Sequence, residues 1–182
     1  MAIRSIVRRI SGTAAAVTLA AGAALVSAAP ASASPITNIG YDLEILALHS
    51  GKCLEIADWR TDDGAPLRQW SCTGGDNQKW RFNADGTIVN VHSGKCLEVP
   101  GWKFQAGVQV GQWTCHGGGN QKWEGVNRIP ELHSLAIVSS SAWDLVFDVA
   151  GVSTDDGAPV LLWWPGGGYN QQFAFDPEAP GA

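Results

Sequence analysis

Apolar and polar residues alternate in short runs along this chain. "YDLEILALHS" at residues 41–50, "TIVNVHS" at 87–93 and "DLVFDV" at 144–149 set Leu, Ile, Val and Phe at every second position or in brief β-branched clusters. That is the pattern of strands with one buried face. Gly, Asp and Pro punctuate the runs about every eight to twelve residues. From residue 34 onward no segment keeps a helical apolar period over about 11 residues. The pattern predicts an all-β protein.

The runs also recur. "HSGKCLE" fills residues 49–55 and returns unchanged at 92–98, and "NQKW" stands at 77–80 and again at 120–123, each pair 43 positions apart. Cys53 to Trp70 is 17 residues, as is Cys96 to Trp113, and seven further steps reach Asn77 and Asn120. A third copy follows in register: "TDDGAP" at 61–66 is repeated at 154–159, and the same counts lead on to Trp163 and Asn170. In that copy Val146 and Pro165 take the cysteine positions and Phe173 replaces the closing tryptophan. Trp123 to Phe173 spans 50 positions instead of 43, so the extra residues are expected in a loop around "NRIPELHSLAIVSSS" at 127–141. The units run over about 37–82, 83–126 and 127–176. β-rich units of this size cannot each bury an apolar face alone, so they must share a core. A closed threefold barrel does this and removes the strand edges.

The first 33 residues have another character. Arg4, Arg8 and Arg9 precede an alanine-rich apolar stretch, and Ala31-Ser32-Ala33 offers a small-x-small cleavage site. This reads as a secretory signal peptide. The apolar stretch falls short of the ~20 strongly apolar residues of a membrane span, although an uncleaved anchor is the competing reading. Arg8-Arg9 raises the twin-arginine route, and the surrounding residues favour the general secretory one. Cleavage would leave 9 basic residues against 17 acidic ones, a net charge of −8. Such a chain lacks the basic face that nucleic acid or heparin-like partners require. One extracellular domain over residues 34–182 is expected, with no membrane contact after cleavage.

Four cysteines allow three pairings. The repeat selects among them, because equivalent cysteines in equivalent units favour Cys53 with Cys72 and Cys96 with Cys115. Each short loop so closed contributes roughly 3 kcal/mol in the chain-entropy model. A zinc site is the rival, but C-x-x-C spacing and partnering histidines are lacking. Asp62-Asp63 and Asp155-Asp156 resemble a calcium pair, yet the second unit has Gln105 and Ala106 there, and Asp-Asp-Gly is common turn chemistry. His49 and His92 are repeat-equivalent and fit backbone pairing better than a metal clamp. No cofactor or metal is implied.

The closing triplets Gln78-Lys79-Trp80, Gln121-Lys122-Trp123 and Gln171-Gln172-Phe173, in register with "GKCL" and "QW-x-C", resemble the Q-x-W repeats of the ricin-B-type β-trefoil lectins. The resemblance covers residues 36–175. It implies a trefoil of about twelve strands with pseudo-threefold symmetry, disulfides within units, and up to three shallow sugar pockets. In that family the Q-x-W tryptophan and glutamine are largely structural, so Trp80 and Trp123 are expected in the core. The sugar-binding carboxylate lies two residues after the first cysteine, the aromatic platform in the "QW" strand, and an amide just before Q-x-W. The candidates are therefore Glu55, Trp70 and Asn77; Glu98, Trp113 and Asn120; and Asp148, Trp163 and Asn170. Only the third unit keeps the family's aspartate. Where the family often has glutamine, two residues before the aromatic, this chain has Arg68, Gly111 and Leu161. Trp59 and Trp102, six residues after the first cysteine of their units, could extend the stacking surface or fold over the disulfide; Val152 takes that place in the third.

No G-x-S-x-G, H-E-x-x-H or unpaired reactive cysteine is present. Carboxylates are plentiful, but they fall in turns or at lectin-like positions, which argues against a glycosidase pair. The expectation is a stand-alone, secreted, non-catalytic carbohydrate-binding module. Galactose-type ligands follow from the resemblance, plant or microbial wall polysaccharides fit a secreted module equally well, and oligomeric state is left open. The alternative is a trefoil that binds a protein or inhibits an enzyme through residues 125–141, its sugar pockets relict. Amino-terminal sequencing of the exported chain should begin at Ser34; a product that retains residues 1–33 would replace the cleaved signal with an anchor.

Overall fold

The computed structural model describes residues 42–129, 134–139 and 142–176. The expected signal segment lies outside them. Twelve strands are found among the described residues. The first unit holds β1 (Asp42–Ala47), β2 (Lys52–Ile56), β3 (Leu67–Trp70) and β4 (Lys79–Phe82). The second holds β5 (Ile88–Asn90), β6 (Cys96–Glu98), β7 (Gly111–Trp113) and β8 (Trp123–Ile129). The third holds β9 (Ser134–Ser139), β10 (Ala142–Val149), β11 (Val160–Trp163) and β12 (Phe173–Asp176).

The outer strands of each unit form the barrel. β1 pairs with both β4 and β12, β4 with β5, β8 with β9, and β9 with β12, all antiparallel. Among the described residues no ladder joins β5 to β8. That seam is closed by the Trp123 N–H, which donates to Gly86 O at 2.8 Å, and by the Lys122–Asp85 ion pair at 2.8 Å.

The inner strands of each unit form a hairpin: β2–β3, β6–β7 and β10–β11. The three hairpins meet in a ring through bridges between Pro66 and Gly111, Gln109 and Leu161, and Arg68 and Pro159. Further links tie the units together. Gln69 Nε2 donates to Ser153 O and Asp155 O at 2.8 and 3.0 Å, and Gln112 Nε2 to Arg60 O and Asp62 O at 3.0 and 3.1 Å. His49 and His92 pair with Ser153 O and Trp59 O, as the backbone reading anticipated. The fold is the β-trefoil expected from the sequence.

The core follows the alternation. Leu43, Ile45, Leu54, Ile56, Leu67, Phe82, Leu97, Phe147 and Leu162 are at most 2% exposed, with Trp80, Trp123 and Phe173 among them at 0, 2 and 0%. A buried indole needs a partner for its N–H. Trp80 Nε1 donates to Leu54 O at 3.0 Å and Trp123 Nε1 to Leu97 O at 3.1 Å. Phe173 has no donor to place; its ring meets Phe147 edge-on at 6.3 Å. Truncating such a side chain to alanine costs about 3–5 kcal/mol.

Two expectations meet the structure directly. The disulfides are Cys53–Cys72 and Cys96–Cys115, which removes zinc at those thiolates. Where they are described, the extra residues of the third unit are paired strand and not loop. They lengthen the β8–β9 hairpin, whose ladder runs from Trp123↔Ser139 to Ile129↔Ser134 with a register shift after Val126. Residues 130–133 lie outside the described set, as do 140 and 141. β8 spans 7 residues where its counterpart β4 spans 4.

The β5–β8 seam should be the acid-sensitive part of the barrel. The Lys122 ammonium, with the Thr87 hydroxyl and amide, lowers the Asp85 carboxyl from 3.8 to about 2. A depressed folded-state pKa stabilises the fold above the unfolded value and loses that contribution as pH falls through the folded one. Hydrogen exchange of the Trp123 amide, corrected for intrinsic rates, should accelerate between pH 3.8 and about 2. In Lys122→Met that step should shrink; an identical pH profile in both proteins would remove Asp85 from the account.

Candidate functional site

The three candidate sites follow from hairpin register. Glu55 lies opposite Arg68 in the β2–β3 ladder, Glu98 opposite Gly111 in β6–β7, and Asp148 opposite Leu161 in β10–β11. Side chains alternate along a strand, so the aromatic two residues on shares the face of the carboxylate. Trp70, Trp113 and Trp163 are thus diagonal neighbours of Glu55, Glu98 and Asp148. Each site has a carboxylate, a platform, and one residue between them that differs from unit to unit.

A single 3-10 turn closes each site from above: Asp76–Gln78, Gly119–Gln121 and Tyr169–Gln171. It delivers the asparagine and glutamine to the outer face of the hairpin. Gln78 Nε2 donates to Glu55 Oε2 at 3.0 Å, Gln121 Nε2 to Glu98 Oε2 at 2.8 Å, and Gln171 Nε2 to Asp148 Oδ2 at 2.7 Å. The same nitrogen also donates to Ser71 O, Thr114 O and Trp164 O, while each amide oxygen accepts a backbone N–H from Thr73, His116 or Gly166. The glutamine is therefore saturated in all three units, and it fixes one oxygen of each carboxylate. Asn77, Asn120 and Asn170 donate to Ile56 O, Val99 O and Val149 O at 3.4, 3.2 and 3.1 Å. The Oδ1 atoms of Asn77 and Asn120 are buried without a protein partner.

The platforms depend on neighbouring units. A Cβ added to Gly64 would lie 3.9 Å from the Trp113 ring, one on Gly107 3.6 Å from Trp163, and one on Gly157 3.7 Å from Trp70. Each indole thus rests on the Asp-Asp-Gly-type turn of another unit. The turn is anchored by its aspartate: Asp63 accepts the Thr114 N–H at 2.8 Å and pairs with Lys95 at 2.7 Å, and Asp156 does the same with Ser71 and Lys52, both at 2.7 Å. The Lys95 ammonium and the Lys52 ammonium hold Asp63 and Asp156 below the usual carboxylate range. These acids clasp units together and do not form a cation site. Ala106 has replaced the aspartate in the second unit's turn.

The three sites then diverge. In the first, Arg68 donates from Nε to Glu55 Oε1 at 2.9 Å, and its guanidinium carbon sits 4.3 Å from the centroid of the Trp70 ring. It also reaches Asp58 Oδ1 at 2.9 Å. In the second, His116 Nε2 lies 3.0 Å from Glu98 Oε2 while its Nδ1 accepts the Gly118 N–H at 3.1 Å. That pairing places the ring proton on Nε2, donating to the carboxylate. Gly111 is required here, since a Cβ would stand 2.9 Å from Ala65 O. Trp113 and Trp163 are 43 and 44% exposed. The third unit also exposes Trp164 and Tyr169. Burial pushes the Asp148 carboxyl above its ordinary value, against the opposing hydrogen bonds of Gln171 and Asn170.

Trp59, Trp102 and Val152 share one backbone conformation, with φ of 55, 59 and 54°. For side chains other than glycine this left-handed region is costly, most of all for a β-branched one. The strain holds all three outward at the rim, each more than half exposed. The Trp59 ring covers Gly75, beside Asn77, and meets His92 edge-on at 4.9 Å. Trp102 meets Phe104 edge-on at 6.2 Å. Sequence reasoning placed the nine core candidates but missed Arg68 and His116 as their partners. For Arg68 the signal was present: a cation two residues before the platform shares its strand face.

Residues 42–173 match the model of the ricin-type beta-trefoil lectin domain, and the chain belongs to that family. ThreeFoil, a designed 3-fold symmetric protein, superposes with a TM-score of 0.70 at 37% identity, covering 74% of this chain and 97% of that one. An exo-beta-1,3-galactanase from Clostridium thermocellum gives 0.70 at 31% identity over 75% of this chain but only 30% of its own length. Among curated proteins, Serine protease 1 of Rarobacter faecitabidus is 43% identical over 37 residues, 20% of this chain. That match spans 7% of the protease's length.

Asp148 makes a pH-dependent prediction. A carboxyl whose folded pKa is raised costs the fold stability once ionised, so stability falls as pH rises through that pKa. Asp148→Asn should melt at or above the native temperature at neutral pH. The difference should close below pH 3.8, where the acid is protonated in both states. A variant that melts lower at pH 7 would show that the ionised form is stabilised instead.

Proposed function

We propose that this chain is a secreted, non-catalytic carbohydrate-binding protein that takes neutral sugars at the hairpin faces of its units. The observation that carries this reading is the exposed indole set diagonally from a carboxylate whose outer oxygen the glutamine leaves free. A pyranose has an apolar C–H face and a rim of hydroxyls. Trp113 or Trp163 supplies the flat apolar surface, backed by glycine and open to solvent. Glu98 or Asp148 accepts from adjacent hydroxyls, and replacing their water with an ionised acceptor makes strong hydrogen bonds. In the second unit the Asn120 Oδ1 is buried without a protein partner.

Galactose-type sugars are the first class to try, in keeping with the family and with the galactanase to which the chain is similar. Shallow sites of this kind bind weakly one at a time, and several on one molecule act together on a polysaccharide through effective concentration. Secretion rests on the basic, apolar and small-residue order of residues 1–33. Enzymatic chemistry has no support in the arrangement: each acid near a platform is tied to a glutamine that holds it as an acceptor. The competing protein-binding reading, through residues 125–141, falls on a segment whose residues 125–129 and 134–139 are paired strands.

The test is a binding screen of the oxidised chain, residues 34–182, against lactose, N-acetylgalactosamine, β-1,3-galactan and xylan. Glu98→Ala and Asp148→Ala run beside it. Loss of an ionised acceptor costs about 1.5–3 kcal/mol, or roughly ten- to hundredfold in affinity at the affected site. Folded protein that binds none of these at millimolar sugar, or binds equally well in both variants, would retire the pockets and direct the search to a protein partner.

A further inference from the structure

The first unit holds its own occupant. Position 68 is the point of the hairpin that touches both halves of a pocket, directly across from the carboxylate and two residues before the platform. Gly111 and Leu161 leave the matching space to solvent or to an aliphatic chain, and Trp113 and Trp163 stay 43 and 44% exposed. Arg68 fills it. Its Nε bonds Glu55 Oε1 at 2.9 Å, the oxygen that Asn77 and Gln78 do not use, since both donate to Oε2. Its guanidinium lies over the ring of Trp70, which Gly157 backs from the third unit. Acceptor and platform are both taken.

A second, independent observation points the same way. Residues 58, 101 and 151 are equivalent, and all three adopt left-handed φ of 56, 58 and 64°. The second and third units place glycine there, as the conformation favours. The first unit places Asp58 instead, in a conformation that strains it. That aspartate reaches back to a terminal nitrogen of Arg68 at 2.9 Å. The unit that carries the arginine is thus the one that bears a strained carboxylate to hold it, between a buried acid below and an exposed acid above.

We infer that Arg68 is the specificity-determining residue of the first unit: clamped by Glu55 and Asp58 over Trp70, it excludes neutral sugars and leaves binding to the second and third units. An incoming pyranose would have to break two charge-assisted hydrogen bonds and a cation–π contact, and would offer only neutral hydroxyls in return. Acidic sugars gain nothing, because two carboxylates face the single cation. This inference rests on the carbohydrate-binding reading and assigns it to particular units.

Indole N–H resonances separate the units. The full secreted chain, isotope-labelled, is titrated with lactose, N-acetylgalactosamine and β-1,3-galactobiose, and the Nε1–H signals of Trp70, Trp113 and Trp163 are followed. In the native protein Trp113 and Trp163 should shift saturably while Trp70 stays still. In Arg68→Gln the Trp70 signal should begin to shift, and bound sugar should rise by one site per chain. Glu55 tolerates the change, since Asn77 and Gln78 still donate to it and Asp148 is held opposite a leucine in the third unit. Asp58→Gly, which relieves strain and removes one arm of the clamp, should open the pocket partially, giving a weaker Trp70 response at unchanged or higher melting temperature. A saturable Trp70 shift in the native chain, or a silent Trp70 in both variants, overturns the inference. Silence at Trp113 and Trp163 is a separate result that overturns the carbohydrate-binding reading itself.

Discussion

A saturated amide sits at the centre of each unit. Gln78, Gln121 and Gln171 are 0, 0 and 4% exposed, and each spends its whole hydrogen-bonding capacity in the same way. The amide oxygen takes a backbone N–H from the loop after the second hairpin strand. The nitrogen takes a carbonyl from the same loop and one oxygen of the pocket carboxylate. A buried polar group left unpaired costs about 1–3 kcal/mol, so this side chain admits only one arrangement of the loop, the turn and the acid around it. Two residues on, the indole of Trp80 or Trp123 fills the core and donates to the carbonyl beside that acid, Leu54 O or Leu97 O. The Q-x-W triplet is therefore one device with a core end and a surface end, and this is why the same letters recur from unit to unit.

The units are coupled at a second level. Each platform indole is supported by a turn from another unit, and the aspartates of two of those turns are anchored to the backbone of the neighbour. A single unit would have a hairpin and a carboxylate but nothing beneath its tryptophan. Closure of the ring of hairpins, not the barrel alone, completes the pockets. The third interface lacks the clasp, since Ala106 stands where Asp63 and Asp156 do, and there the exposed surface is richest in aromatic side chains, with Trp163, Trp164 and Tyr169.

The period of the chain was legible because repeated packing demands repeated letters. The disulfide pairing followed from offsets, and the buried indoles and the trefoil from the family resemblance that the repeated letters carry. What stayed hidden depended on register. Arg68 reads as a departure from glutamine until Glu55 is known to lie opposite it; then its reach to both acid and ring is a matter of strand geometry. His116 is illegible for the same reason: it sits on a loop that only Gln121 positions. The lengthened β8–β9 hairpin was read as a loop because its extra residues broke the spacing, although their own alternation of Leu, Ile and Val argued for strand. Spacing reports where units begin, while alternation reports what the residues between them do.

Divergence among the units has fallen on different parts of the same frame. The third has lost its disulfide and its closing tryptophan, yet its glutamine, asparagine and aspartate hold the same contacts. Val146 and Phe173 are fully buried and replace covalent and hydrogen-bonded ties with packing. The first has kept every structural tie and changed the two residues that face a ligand, placing aspartate where the backbone favours glycine. Val146 lies opposite Trp163 in the ladder and shares a strand face with Asp148, so packing has replaced the disulfide beside the pocket while the Gln171–Asp148 contact stays in place. Nothing on the frame side can reopen a platform that a clamped cation covers. Conserving the fold and conserving the site are thus separable in this protein: a substitution in the ties of the frame leaves the acid and platform in place, whereas one at the residue between them closes the site.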